Sequence, residues 1–164
     1  MNFEHLVQIN DPMNPLMSSL SREQLWQGLV LRAEKPQRFV LGLEGCEILS
    51  REEHTFTREL DYGAAKVRDR VILHPFNAVE YIIDPTEHHV GGSLTMTIEA
   101  PDPLQLFIRF VYRTSLPTSD DGEAVRTSEI VKSAYRESDI DTVRVIRQMA
   151  ASGELESASG PLLH

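Results

Sequence analysis

The sequence has almost no cysteine, and it has no apolar run long enough to cross a membrane. Its one thiol, Cys46, cannot form an internal disulfide or a zinc site built from several cysteines. This favours a reducing compartment, and we expect a cytoplasmic protein. A membrane-spanning helix needs ~20 consecutive apolar residues, and residues 1–5 lack the basic and apolar segments of a secretion signal. We therefore expect neither membrane insertion nor export.

Basic residues are outnumbered by acidic ones. Lys and Arg total 16 against 25 Asp and Glu, which gives a formal net charge of −9 at pH 7. A nucleic-acid backbone would be repelled, so we expect no nucleic-acid partner. The P-loop, GxGxxG, GxSxG, HExxH and EF-hand motifs are all missing, and we expect no cofactor. The adjacent His88 and His89 do not predict a metal site, because neighbouring side chains of an extended chain point apart.

What the sequence does contain is typical of one globular domain. Hydrophobic residues make up 41% and charged residues 25% of its 164 residues. These are ordinary proportions, and a chain of this length can bury roughly two thirds of the surface that its unfolded form exposes. We predict one domain over residues 1–156, followed by a small polar tail over residues 157–164.

Hydrophobic periodicity predicts one strand, two short helices, six strands and a long helix, in that order. The first helix begins after Ser21, since Gln24 completes a capping box, and Pro36 begins the second. The connections between the six later strands are short, which indicates antiparallel neighbours. The predicted strands are residues 3–9, 46–51, 54–62, 66–74, 77–84, 93–100 and 104–116, and the long helix spans about residues 123–151. Its apolar positions are Val131, Ala134, Tyr135, Val143, Ile146 and Ala150.

Charge pairing predicts the register between segments 54–62 and 66–74. A four-residue loop over residues 63–66 matches apolar residues on one face and opposite charges on the other. The predicted pairs are Tyr62–Val67 and Phe56–Leu73 on the apolar face, and Glu59–Arg70 and Asp61–Arg68 on the other. In this register Arg58 and Asp69 are diagonal neighbours on the concave face of the sheet.

The concave face supplies the candidate ligand-binding residues. One helix cannot fill a strongly curved sheet everywhere, so we expect a void with mostly apolar walls and a few polar groups. Trp26 faces this core from the first helix, where it either packs or lines the void. The remaining wall residues are predicted to be Phe56, Val71, Tyr81, Met96, Ile108, Phe110 and Tyr112.

Arg58 and Asp69 are the charged residues that alternation places on the inner face. Removing both from water costs several kcal/mol each unless they pair closely. They either satisfy one another structurally, or Arg58 binds a ligand carboxylate or carbonyl while Asp69 orients it. His54 is predicted on the same face, where it acts as an acid or base or has a structural role. No catalytic residue can be assigned.

Four segments carry a resemblance to a known family: residues 3–5 (FEH), 20–29 (LSREQLWQGL), 69–71 (DRV) and 141–144 (DTVR). With the element order, they resemble the AtaL-like family of the SRPBCC superfamily, which also holds START proteins and birch-pollen allergens. The resemblance implies an α+β helix-grip fold, in which a seven-stranded curved antiparallel sheet wraps a long C-terminal helix. It also implies a cavity for lipids, sterols, polyketides or plant hormones, because superfamily members are carriers, cyclases or dehydratases.

These observations leave several functions open. The leading hypothesis is a non-catalytic protein that binds or carries a small hydrophobic or amphipathic metabolite. The alternative is an enzyme of the polyketide cyclase or aromatase kind that uses the same cavity. Self-association to a homodimer through a sheet edge also stays open. A third interpretation is a module that binds a partner protein through its outer arginines, Arg68, Arg70, Arg109 and Arg113.

Overall fold

The computed structural model describes residues 1–87, 90–114 and 122–155. The strands are β1 Asn2–Asn10, β2 Gly45–Glu52, β3 Thr55–Asp61, β4 Lys66–His74, β5 Ala78–Ile83, β6 Gly92–Glu99 and β7 Leu106–Thr114. The helices are α1 Arg22–Glu34, a single 3-10 turn Pro36–Arg38, and α2 Gly122–Ala151. His88, His89 and the predicted tail lie outside the described residues.

All seven strands form one antiparallel sheet, ordered β1-β7-β6-β5-β4-β3-β2. The predicted helix-grip fold is confirmed, with a curved sheet and a long helix at the C-terminal end of the described chain. Strands that are consecutive along the chain from β2 to β7 are also neighbours in the sheet, as their short connections require. β1 forms the sheet edge opposite β2 and pairs with β7.

The start of α1 follows the predicted capping box. The Ser21 hydroxyl accepts a hydrogen bond from the Gln24 backbone N–H at 3.0 Å, and the Gln24 side chain accepts one from the Ser21 N–H at 2.9 Å. Two N–H groups that the helix itself cannot satisfy are thereby bonded. At the other end, Pro36 begins the 3-10 turn, so the second predicted helix is shorter than expected.

The predicted register between β3 and β4 is wrong by two residues. Arg58 lies directly opposite Asp69, and Phe56 lies opposite Val71. The turn occupies residues 62–65, closed by a 2.9 Å hydrogen bond from the Tyr62 N–H to the Ala65 carbonyl. Because side chains alternate with a period of two, a shift of two residues leaves every side chain on its predicted face.

The outer-face charge pairs change with this register. Glu59 lies 3.0 Å from Arg68 rather than beside Arg70, and Arg70 lies 3.5 Å from Asp84. Arg109 binds Glu99 at 2.5 Å. These arginines are therefore solvated members of surface ion pairs, and a protein partner for them stays a prediction.

The core lies between the concave sheet face and the second half of α2. The predicted inward residues are at most 1% exposed and belong to one cluster with the apolar residues of the second half of α2. They are Phe56, Val71, Met96, Ile108 and Phe110, and their partners in α2 are Val143, Val145, Ile146 and Met149. In contrast, the described side chains of residues 122–138 are exposed or only partly buried. Ala134, predicted to face the core, is exposed. The helix therefore fills only part of the sheet's concavity.

α1 and α2 meet at Gly28. A β-carbon built on this glycine would stand 2.8 Å from both γ-carbons of Ile146. The absence of a side chain thus allows α2 to approach α1 closely. None of the helices in the described ranges combines the length and the apolar character needed to span a bilayer.

Candidate ligand-binding site

A cavity of about 460 Å³ lies between the sheet, the end of α1 and the first half of α2. Its volume falls within the range of about 300–1,000 Å³ that is usual for small-molecule sites. Apolar side chains form much of its wall, among them Val40, Leu60, Ile83 and Leu94. Its polar side chains include Arg32, Arg58, Asp69, Tyr81, Tyr112 and Tyr135.

The predicted pair, Arg58 and Asp69, forms a two-pronged ion pair in the cavity wall. Arg58 Nε donates to Asp69 Oδ1 at 2.8 Å, and Arg58 Nη2 donates to Oδ2 at 2.6 Å. The third guanidinium nitrogen, Nη1, donates to the Ala33 carbonyl at 2.7 Å. Both side chains are only 4% exposed. This geometry matches the structural interpretation, and ligand binding by Arg58 stays a prediction.

Arg32 is a second buried arginine, which the sequence reasoning missed. It is 8% exposed and lines the cavity from the last turn of α1. Its Nε donates to the Thr142 hydroxyl at 3.2 Å. No ion pair formed among the described residues includes Arg32. The signal was present, because Arg32 stands seven residues after Leu25 and three after Leu29, on the apolar stripe of α1.

The Tyr81 ring contacts both guanidiniums. Its ring centroid is 5.1 Å from Arg32 Cζ and 5.0 Å from Arg58 Cζ, within cation–π range. The residue is 6% exposed, and its buried hydroxyl has no hydrogen-bond partner among the described residues. An unsatisfied buried hydroxyl costs ~1–3 kcal/mol, so this group needs an explanation.

A hydrogen-bonded chain lies behind another part of the wall. The Tyr112 hydroxyl donates to Asp139 Oδ1, and His5 Nδ1 lies 3.0 Å from Asp139 Oδ2. The Tyr112 ring stacks on Tyr135, with centroids 3.9 Å apart. Burial raises the pKa of Asp139, although its two hydrogen bonds oppose the shift. Burial, together with the Asp139 charge, raises the pKa of Tyr112 well above its usual range.

Asp139 and His5 were also missed, although both interrupt an apolar pattern. Asp139 stands four residues after Tyr135 and four before Val143, on the apolar stripe of α2. His5 stands two residues after Phe3 and so shares the inner face of β1 with it. A charged or titratable residue on an apolar stripe was therefore the signal in each case.

The other predicted site residues lie elsewhere. The prediction that His54 lies on the inner face is wrong. His54 belongs to the turn between β2 and β3, and its side chain is 52% exposed beside Glu53. The prediction extended the strand by one residue and so placed His54 on the inner face. Trp26 is buried against the Phe76 ring outside the cavity. The packed core, and not the cavity lining, contains Phe56, Val71, Met96, Ile108 and Phe110.

A larger groove, of about 810 Å³, lies outside the sheet between residues 14–20 and α2. Arg147 on its wall donates to the Ser18 carbonyl at 2.7 Å and also to the Ile9 carbonyl at 2.5 Å. No unsatisfied buried side-chain atom of the described residues belongs to this groove. The inner cavity is therefore the better candidate despite its smaller volume. The described ranges also contain no cluster of three or more metal-ligating side chains.

Solved structures with the same fold include enzymes and START proteins. The Zhui aromatase/cyclase from Streptomyces sp. R1128 is 18% identical with a TM-score of 0.62, covering 92% of this chain and 95% of that one. Human STARD10 is 7% identical with a TM-score of 0.60, covering 93% of this chain and 66% of that one.

A third structure is the di-domain ARO/CYC StfQ from the steffimycin biosynthetic pathway. It is 11% identical with a TM-score of 0.68, covering 93% of this chain but 52% of the StfQ chain. Such identities establish the fold alone, and no curated protein sequence matches this chain. The family model described as "Acetylaranotin biosynthesis cluster protein L" matches residues 7–153. The chain therefore belongs to this AtaL family.

Proposed function

We propose that the chain binds a small amphipathic molecule in the cavity between the sheet and α2. The observation that carries this proposal is the Tyr81 hydroxyl, buried in the cavity wall without a partner among the described residues. A ligand oxygen that accepts its hydrogen bond would remove a cost of ~1–3 kcal/mol. Apolar walls around such polar groups are usual for sites that bind small molecules by burial and orient them by hydrogen bonds.

The comparisons support a metabolite as the ligand. The family description refers to a biosynthesis cluster, and two structural neighbours are described as aromatase/cyclases. We further propose that the protein works in the cytoplasm and without a cofactor. A homodimer through a sheet edge stays a prediction.

Binding is tested on protein purified without additives, by native mass spectrometry and thermal shift against a panel of fatty acids, aromatic polyketides and sterols. We expect at least one amphiphile to form a one-to-one complex and to raise the melting temperature. A protein that responds to no member of the panel, and takes up no probe, would contradict the proposal.

The Tyr81→Phe variant links such binding to the cavity. Without ligand, the variant should be more stable than the wild type by about 1 kcal/mol, because an unsatisfied buried hydroxyl is removed. Affinity for the ligand should fall about tenfold, since ~1.4 kcal/mol of binding free energy corresponds to that factor. Tyr62→Phe is the matched control, because Tyr62 also lines the cavity but is 38% exposed. Equal affinity in both variants would place the ligand elsewhere.

A second candidate function is catalysis of the cyclase or aromatase kind. It is favoured by Arg58, Asp69 and Tyr112, because an enzyme needs several ionisable groups around one void and these three line the cavity. Asp139 and His5 are hydrogen-bonded behind Tyr112. In this function the arginines would polarise a carbonyl oxygen, and the Tyr112 oxygen would accept a proton from the substrate while its own proton passes to Asp139.

Turnover of a poly-β-keto thioester mimic decides between carriage and catalysis. We expect a catalyst to exceed the uncatalysed rate, and Arg58→Ala and Asp139→Asn to lose most of that excess. Wild-type protein that binds the mimic but leaves its cyclisation at the background rate would reject the catalytic function.

A further inference from the structure

Two buried arginines face the cavity, and they differ in their charge balance. The Arg58 charge is offset by Asp69, and all three of its nitrogens donate hydrogen bonds. The Arg32 guanidinium has one hydrogen bond to a neutral hydroxyl, that of Thr142, and the face of the Tyr81 ring. A guanidinium remains protonated in proteins, and burying it without a counter-charge costs several kcal/mol.

The two buried carboxylates of the described residues, Asp69 and Asp139, are already occupied. Both oxygens of Asp69 bind Arg58, and both oxygens of Asp139 are used by Tyr112 and His5. Asp139 and Arg32 form no hydrogen bond and interact only through their charges. Among the groups that shift the Asp139 pKa, Arg32 has the smallest effect. The cavity wall therefore has an excess of positive charge at Arg32.

We infer that the ligand carries an acidic head group, anionic at neutral pH, that binds between the Arg32 guanidinium and the Tyr81 hydroxyl. This deepens the proposed function and rests on it. Arg32 Nε is used by Thr142, which leaves the two Nη groups for a two-pronged contact with a carboxylate. The Tyr81 hydroxyl is a further donor without a partner among the described residues, on a ring that contacts the same guanidinium. The apolar part of the ligand would then lie along Leu60, Ile83 and Leu94.

The test compares decanoic acid with decan-1-ol, which share an alkyl chain and differ in the charge of the head group. Dissociation constants are measured for the wild type and for Arg32→Met, a variant that keeps an unbranched, flexible side chain and removes the guanidinium. Arg68→Met is the matched control, because it removes one positive charge from the outer face, where Arg68 is 73% exposed. Arg32→Gln serves as a second variant with a polar but neutral side chain.

We expect the wild type and Arg68→Met to bind the acid at least tenfold more tightly than the alcohol. Arg32→Met and Arg32→Gln should lose this preference while they bind the alcohol as the wild type does. Their melting temperatures without ligand should be no lower than that of the wild type, because an unbalanced buried charge has been removed.

Equal wild-type affinity for acid and alcohol, or an acid preference that survives both Arg32 substitutions, would overturn the inference and leave the proposed function intact. If neither decanoic acid nor decan-1-ol binds the wild type or any variant, and no member of the wider amphiphile panel binds, both the inference and the proposed function are overturned.

Discussion

The contact between Gly28 and Ile146 allows a stability prediction to be worked from distances. An added β-carbon at position 28 would lie 2.8, 2.8 and 3.0 Å from Ile146 Cγ1, Cγ2 and Cδ1. Attractive carbon contacts begin at about 3.5 Å, so the methyl group of Gly28→Ala overlaps Ile146 by about 0.7 Å. Ile146 is fully buried, and its β-branched side chain has one strongly preferred rotamer in a helix. It cannot move aside cheaply.

Two effects of Gly28→Ala oppose each other. Alanine favours the helix by about 1 kcal/mol over glycine, whereas overpacking a core costs ~1–3 kcal/mol. We expect a net loss of about 1 kcal/mol in unfolding free energy. Ile146→Ala alone should lose ~2–5 kcal/mol by leaving a cavity. In the double variant the methyl group added at position 28 occupies space that the isoleucine side chain vacated, so the combined loss should be smaller than the sum by about 1 kcal/mol or more.

Urea unfolding followed by tryptophan fluorescence measures these values, because the only tryptophan, Trp26, lies on the same helix. Far-UV circular dichroism checks that both signals report one transition. Gly122→Ala at the start of α2 is the control, since its β-carbon would meet no atom within 4 Å. A Gly28→Ala protein that is stabilised by the full helix preference of alanine would refute the close approach of α1 and α2.

Three further predictions concern polar groups. Arg58→Met should lose ~3–5 kcal/mol of stability because Asp69 stays buried without its partner, and adding Asp69→Leu should restore most of it; a double variant as unstable as the single one would contradict this. Ser21→Ala should cost ~1 kcal/mol by removing the α1 cap, with Ser19→Ala as an unaffected control in the same urea assay. Burial raises the pKa of Asp139 above its usual 3.8, so its contribution to stability is present below that pH and is lost as pH rises through the folded pKa. The urea midpoint of the wild type should therefore fall as pH rises above about 4, and that of Asp139→Asn should fall less. Midpoints that change equally with pH in both proteins would argue against a charged, buried Asp139.

Alternation alone was sufficient to predict the faces of the sheet. Side chains of a strand alternate between its two faces, so a register error of two residues changes the partner of a residue but not its face. Arg58 and Asp69 were therefore correctly placed inward although the predicted register was wrong. The charge pairs could not decide the register, because Glu59 finds an arginine opposite it in either arrangement. The turn at residues 62–65 decides it, through a backbone hydrogen bond that side-chain patterns do not encode.

The position of the cavity was harder to predict than its existence. Phe56 and Tyr81 follow the same alternation, yet Phe56 is packed in the core and Tyr81 lines the void. The difference arises from α2, whose second half fills the concavity while its first half leaves it open. Periodicity identifies the apolar stripe of a helix but not the point along its length where contact with the sheet ends.

The two buried arginines, Arg58 and Arg32, differ in their hydrogen bonds, and this difference suggests different roles. Arg58 is bonded to Asp69 and also to the Ala33 carbonyl, the residue directly after Arg32. The ion pair therefore holds the last turn of α1 against the sheet and so positions Arg32. A group whose charge is balanced within the chain contributes to a fixed wall, whereas one that is not balanced remains available to a ligand. In the proposed function, the groups that the fold leaves unsatisfied, Arg32 and the Tyr81 hydroxyl, would then select the ligand.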